Sequence, residues 1–146
     1  GERVCALTVL TDHADESPKV LSQLKRMART NYSNPPTHGA QIVNVILNDS
    51  QRFAEWETEL GHMRQRIHAM RHQLVTQLAQ HGVQKDMSFI LQQQGMFSYS
   101  GLTQAQAQRL RDEDAIYLLD TGRICVAALN EHNISTVAAA IARVVQ

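Results

Sequence analysis

A chain of 146 residues is about one domain long, and 43% hydrophobic with 19% charged residues is the make-up of a soluble globular protein rather than a disordered or membrane-embedded one. Fourteen basic residues against fourteen acidic ones, with no run of like charge, exclude broad electrostatic attraction to nucleic acid or to an anionic membrane, and leave small-molecule chemistry or protein contacts. Cys5 and Cys125 lie in apolar, strand-like runs without a CxxC spacing and read as reduced core residues of a cytoplasmic protein. No apolar run reaches the roughly 18 residues that cross a bilayer, and no signal peptide opens the chain. Its first residue is not methionine, which points to a cut piece.

Residues 4–10 (VCALTVL) form an almost unbroken apolar run, the pattern of a parallel strand buried on both faces. The next strand-like runs follow only after three helical segments, so residues 1–48 read as the tail of a larger α/β domain whose other strands are absent. Asp15, Glu16 and Pro18 open a helix over about 15–30 that carries Val20, Leu24 and Met27 at helical spacing and delivers Arg29 at its end. After Pro35 and Pro36, AQIVNVILND predicts a short apolar helix ending near Asn48 or Asp49, either of which can cap the next.

The strongest pattern is that next helix. Phe53, Trp56, Leu60, Met63, Ile67, Met70, Leu74 and Leu78 recur every three or four residues, and Gly82 supplies a left-handed stop. At 1.5 Å per residue its length is roughly 48 Å, enough to bridge two domains, and its apolar stripe reads as core. Beyond Gly82, strands are predicted at 88–91, 96–100, 116–119 and 123–127, with a helix opened by a Thr103-x-x-Gln106 capping box and a last helix capped by Asn130. In that last helix Ile134, Val137, Ile141 and Val144 share one stripe. Residues 83–146 thus form a compact α+β unit, with 49–82 as the bridging helix.

Three arginines stand out. Pro35 and Pro36 stiffen the loop after Arg29 and Ser33 and bar Asn34 from the helical region, which suits an anion clamp; Arg29 is equally a cation in a last helical turn, complementing the dipole. Arg3 and Arg123 sit in apolar, strand-like settings where a guanidinium is costly unless it meets an anion. Arg123 begins a hydrophobic strand straight after a tight turn, so its base is rigid and its fork can meet a carboxylate bidentately, or it is an ordinary strand-end arginine. Phe97 lies on an alternating strand between Gly95 and Gly101, either a sheet surface or a pocket wall. Metal and nucleophile patterns are poor: His68 and His72 are spaced i, i+4 without a third ligand, and Ser33, Ser98 and Ser100 lack a nucleophile elbow.

Taken in order, GERV at 1–4, NYSNPPTHGAQIV at 31–43, GMFSYSGL at 95–102 and TGRICVAALN at 121–130 resemble the C-terminal part of the aspartate and aromatic amino acid aminotransferases, somewhat nearer the bacterial aromatic branch. The resemblance spans the whole chain and implies an α/β fold, the C-terminal part of a fold type I pyridoxal-phosphate-dependent transferase: the end of the large domain, the interdomain helix and an α+β small domain. It implies pyridoxal 5'-phosphate as cofactor, amino acids and 2-oxo acids as substrates, and a homodimer; the balanced charge and lack of a long apolar run give the expectation of no nucleic acid or membrane partner. Arg3 then matches the arginine on the cofactor phosphate, Arg123 the one on the substrate α-carboxylate, and Arg29 the one reaching across a dimer to a distal carboxylate. Phe97 matches an active-site wall, and Ser33 and Asn34 the loop offered to a partner subunit. Cys5 and Ala128 depart from the family's usual glycines. The Schiff-base lysine falls upstream of residue 1, so the resemblance implies that this piece supplies anion clamps and is silent by itself; the other reading is a non-catalytic anion-binding or dimerisation module.

Overall fold

The computed structural model describes residues 2–146, which divide into two compact units, one up to residue 57 and the other 58–146. In the first, Pro18 sits in the opening turn of α1, Ser17–Tyr32, where its missing N–H is no loss. Asp15 and Lys19 pair across that turn at 2.9 Å. The helix stops at Ser33, whose φ of 66° and ψ of −61°, with Asn34 N–H donating to Tyr32 O at 2.7 Å, make a γ-turn of the strained hand. Helix α2, His38–Leu47, follows the two prolines. Gly39 in its first turn lies under Val4: a Cβ there would be 2.6 Å from Val4 Cγ2, so the Val4 side chain would have to shift.

Two expectations fail in this unit. Residues 4–10 are not a buried strand: they run without a ladder, and Val4, Leu7, Val9 and Leu10 are exposed. A strand takes its N–H and C=O partners from a neighbour, and among the described residues of this unit no other strand exists to supply them. Cys5 is accordingly exposed rather than core.

Helix α3, Ser50–Gln80, realises the long periodic pattern, with Asp49 accepting from Arg52 N–H at 3.0 Å as its cap and Gly82 at φ +80° beyond its end. Its stripe splits in burial. Met70, Leu74 and Leu78 are buried, whereas Phe53, Trp56, Leu60 and Met63 are exposed, so only the C-terminal half serves as core.

In the second unit α4, Phe89–Gln92, replaces the strand expected at 88–91. Then come β1, Phe97–Tyr99; α5, Gln104–Asp114; β2, Arg123–Cys125; a single 3-10 turn at Val126–Ala128; and α6, Ile134–Val145. Residues 116–119 form no strand; Ala115 in the left-handed region ends α5, and Ile116 N–H returns to Leu110 O at 3.0 Å. Asn133, not Asn130, is the residue preceding α6, although the Asn130 side chain accepts from His132 and Asn133 N–H just ahead of it. The core joins Leu74 and Leu78 of α3 to Ile90, Leu110, Val126 and Ile141. Cys125 is exposed, because β2 turns Ile124 inward and its neighbours outward.

The Thr103–Gln106 capping box forms as the spacing dictates, Thr103 Oγ1 accepting from Gln106 N–H and Gln106 Oε1 from Thr103 N–H. Thr103→Ala is expected to cost about 1 kcal/mol in denaturant unfolding, the usual loss of an N-cap; an unchanged midpoint would show the cap to be dispensable.

Candidate active site

The two strands pair antiparallel with Phe97 opposite Cys125, Ser98 opposite Ile124 and Tyr99 opposite Arg123. Alternation then sends Phe97, Tyr99, Arg123 and Cys125 to one exposed face and Ser98 and Ile124 to the core side. Phe97 and Arg123 are diagonal neighbours on that face, and the Arg123 guanidinium carbon lies 4.8 Å from the centroid of the Phe97 ring. The turn that launches β2 depends on Gly122: its φ is +78°, and a Cβ there would meet Leu102 O at 2.6 Å.

Beside this pair lies a cavity of about 280 Å³ that Phe97, Arg111, Tyr117, Leu119, Arg123 and Cys125 help to line. Its two cations differ. Arg111 is neutralised by Asp120 at 2.8 Å and also donates to Leu118 O at 3.2 Å. Arg123 has no carboxylate: among the described residues the ion pairs are Lys19–Asp15, Arg52–Asp49, Arg109–Glu113, Arg111–Asp120 and Arg143–Asp114, none of which involves Arg3, Arg29 or Arg123. A planar fork held against an aromatic face, with its charge unspent, is suited to a carboxylate.

The sequence-selected residues of the first unit are arranged in the same spirit. Arg29 Nη1 donates to Ser33 Oγ at 2.6 Å, so the strained turn and the arginine are tied together directly ahead of Asn34 and the prolines. Arg3 is exposed in an irregular segment, between Glu2 and Val4, whose side chains lie close to Gly39 of α2. Arg29, Ser33 and Arg3 thus belong to one unit, Phe97 and Arg123 to the other.

The periodicity reading overlooked two arginines on α3. Arg71 is only 1% exposed and faces no carboxylate; its Nη1 donates to Ile90 O at 3.1 Å and to the Ser98 hydroxyl, and its Nη2 to Gly95 O at 2.7 Å and Phe97 O at 3.1 Å. Loss of water pushes its pKa below the ordinary arginine value. Arg66 donates to Leu129 O and Ala127 O, both at 2.8 Å, just beyond β2. A cue was present, since Arg71 is four residues from Ile67 and three from Leu74, on the helix face that carries the core.

Among the described residues no cluster of three or more histidine, cysteine, aspartate or glutamate side chains could hold a metal ion, and no helix is long and apolar enough to cross a membrane. His68 and His72 are exposed on α3.

Comparison with known proteins gives a consistent picture. An aspartate aminotransferase of Pseudomonas aeruginosa is 58% identical over 99% of the chain, and an aromatic-amino-acid aminotransferase of Escherichia coli is 47% identical over the same share. The chain covers 36% of each, so it spans about a third of the length of the curated relatives it matches. Among solved structures, the aromatic-amino-acid aminotransferase of Burkholderia pseudomallei covalently bound to pyridoxal phosphate superposes with a TM-score of 0.86 at 58% identity, over 94% of this chain and 34% of that one. A mitochondrial aspartate aminotransferase of Trypanosoma brucei gives 0.86 at 41% identity, over 93% and 36%. The α/β fold implied by the resemblance, the C-terminal part of a fold type I transferase, is the fold these structures share with the chain. Residues 1–141 match the family model for aminotransferase class I and II, and the chain belongs to that family.

Proposed function

We propose that the chain is part of a pyridoxal-phosphate-dependent aminotransferase that exchanges an amino group between an aromatic or dicarboxylic amino acid and 2-oxoglutarate, working as a homodimer. The observation that carries this reading is Arg123, free of any carboxylate among the described residues and stacked on Phe97 beside a cavity of about 280 Å³.

The residues present suit the cofactor's phosphate. Arg3 is an exposed guanidinium without an acidic partner among the described residues, on a segment whose Val4 side chain lies close to Gly39 of α2. A guanidinium fork matches a phosphate edge as it does a carboxylate. Pyridoxal phosphate, when bound, supplies the electron sink of amino-group transfer. Arg123 grips the α-carboxylate of the substrate and orients the amino acid, and Phe97 walls the site beside the fork. Arg29, steadied by Ser33 in its strained turn beside Asn34, reaches a distal carboxylate in the partner subunit's site.

The lysine that such chemistry requires is not one of this chain's. Lys19 is paired with Asp15, Lys85 donates to Gly101 O, and both, like Lys25, are exposed, whereas a nucleophilic lysine sits in a desolvated pocket or beside another cation. The 146-residue chain mixed with pyridoxal phosphate is therefore expected to show no transamination of phenylalanine, tyrosine or aspartate with 2-oxoglutarate. The full-length protein that contains it is expected to turn over at least one of the three. Turnover by the chain alone, or none by the full-length protein, would contradict the proposal.

A further inference from the structure

A two-stranded ribbon of three residues a side is marginal in water, yet this one carries Phe97 and Arg123. Met96 O and Ser100 N–H face inward, accepting from Val126 N–H at 2.8 Å and donating to Gly122 O at 3.0 Å. The backbone groups of Phe97 and Tyr99 therefore face the open edge of β1. Side chains, not another strand, meet them: Phe97 O takes Arg71 Nη2, while Tyr99 N–H and C=O pair with the Gln93 side chain at 2.8 and 3.0 Å. Beyond β2, Arg66 grips Ala127 O and Leu129 O. All these residues belong to the second unit.

We propose that Arg66 and Arg71 are positioning residues that fasten the two strands to α3 and so hold the Phe97–Arg123 stack in the geometry that meets a carboxylate. The inference rests on the reading that Arg123 grips substrate. Arg71 spends four N–H donors on neutral acceptors, a costly way to bury a cation where a hydrophobic side chain would fill the core, and the return is a fixed path for Gly95 to Ser98. Lysine has one nitrogen and cannot span those acceptors. Arg66, an exposed residue whose bond to Leu129 O is partly buried, does the same for the exit of β2. Neither touches substrate; both act through the backbone that bears Phe97 and Arg123.

The test uses the full-length holoenzyme and its kinetics with phenylalanine, tyrosine or aspartate and 2-oxoglutarate. Arg66→Ala is expected to raise KM for the amino acid about tenfold with a smaller change in kcat and unchanged cofactor content, since only carboxylate placement is disturbed. In an Arg123→Lys background the same substitution should add less than about twofold, because the group it positions is already gone. Arg71→Lys should show the same pattern as Arg66→Ala; Ser98→Ala, which removes one acceptor of Arg71 and leaves its cation buried, should do so at about threefold and stands in if Arg71→Lys fails to fold. An unchanged KM in Arg66→Ala and Ser98→Ala, or an undiminished effect in the Arg123→Lys background, overturns the positioning role while leaving the carboxylate reading intact. An Arg123→Lys enzyme with wild-type KM and kcat overturns that reading instead.

Discussion

Arg123→Lys in the full-length protein should lower kcat/KM for transamination by a factor of about 100, equivalent to about 3 kcal/mol, while the thermal stability of the protein barely changes. A charge-assisted hydrogen bond contributes about 1.5–3 kcal/mol, and lysine retains one prong of a two-pronged grip. Arg123 is exposed and forms no ion pair among the described residues, so the folded state loses only its contact with Phe97, worth about 0.5–1 kcal/mol. The two readouts separate an enzyme from a non-catalytic module of the same fold. In the module, stability would be the only quantity to move. Steady-state kinetics beside a melting curve check this, and equal kcat/KM in the two proteins would remove Arg123 from the site.

Arg71→Met is expected to destabilise the second unit by about 3 kcal/mol, because it strips donors from Ile90 O and the Ser98 hydroxyl, groups for which water is not a ready substitute. Each buried acceptor left alone costs about 1–3 kcal/mol, and relief from burying the guanidinium offsets part of the total. Arg71→Lys keeps the charge, loses the fork, and should fall between the two. Urea unfolding followed by circular dichroism measures the difference; a Met variant within about 0.5 kcal/mol of the parent would mean that the clamp contributes little to the fold.

Much of this was legible in the sequence where the causes are local. The periodicity of α3, the Pro18 start of α1, the Thr103–Gln106 box and the stripe of α6 each depend on neighbours within a turn or two, and all are found. Residues 4–10 and 116–119 show the opposite case: an apolar run has the composition of a strand, but a ladder needs a partner segment that composition does not reveal. Residues 88–91 are too short for a period to be read, and they close into one helical turn instead. At the candidate site local chemistry draws attention to Arg3, Arg29 and Arg123, while the roles of these three and of Ser33 and Phe97 come from the family resemblance. Neither could single out Arg66 and Arg71, whose acceptors lie 19 to 63 residues away. That Arg123 and Cys125 share a face follows from their i, i+2 spacing, but that this face is the open one depends on how the three-residue strand pairs and packs.

Guanidinium groups that meet the anions of cofactor and substrate should be visible in a crystal structure of the full-length protein with pyridoxal phosphate and an amino acid bound. The expected result is Arg123 in a two-pronged contact of about 2.8 Å with the α-carboxylate, beside the Phe97 ring, and Arg3 on the cofactor phosphate. A carboxylate bound by other residues, with Arg123 left facing solvent, would contradict it.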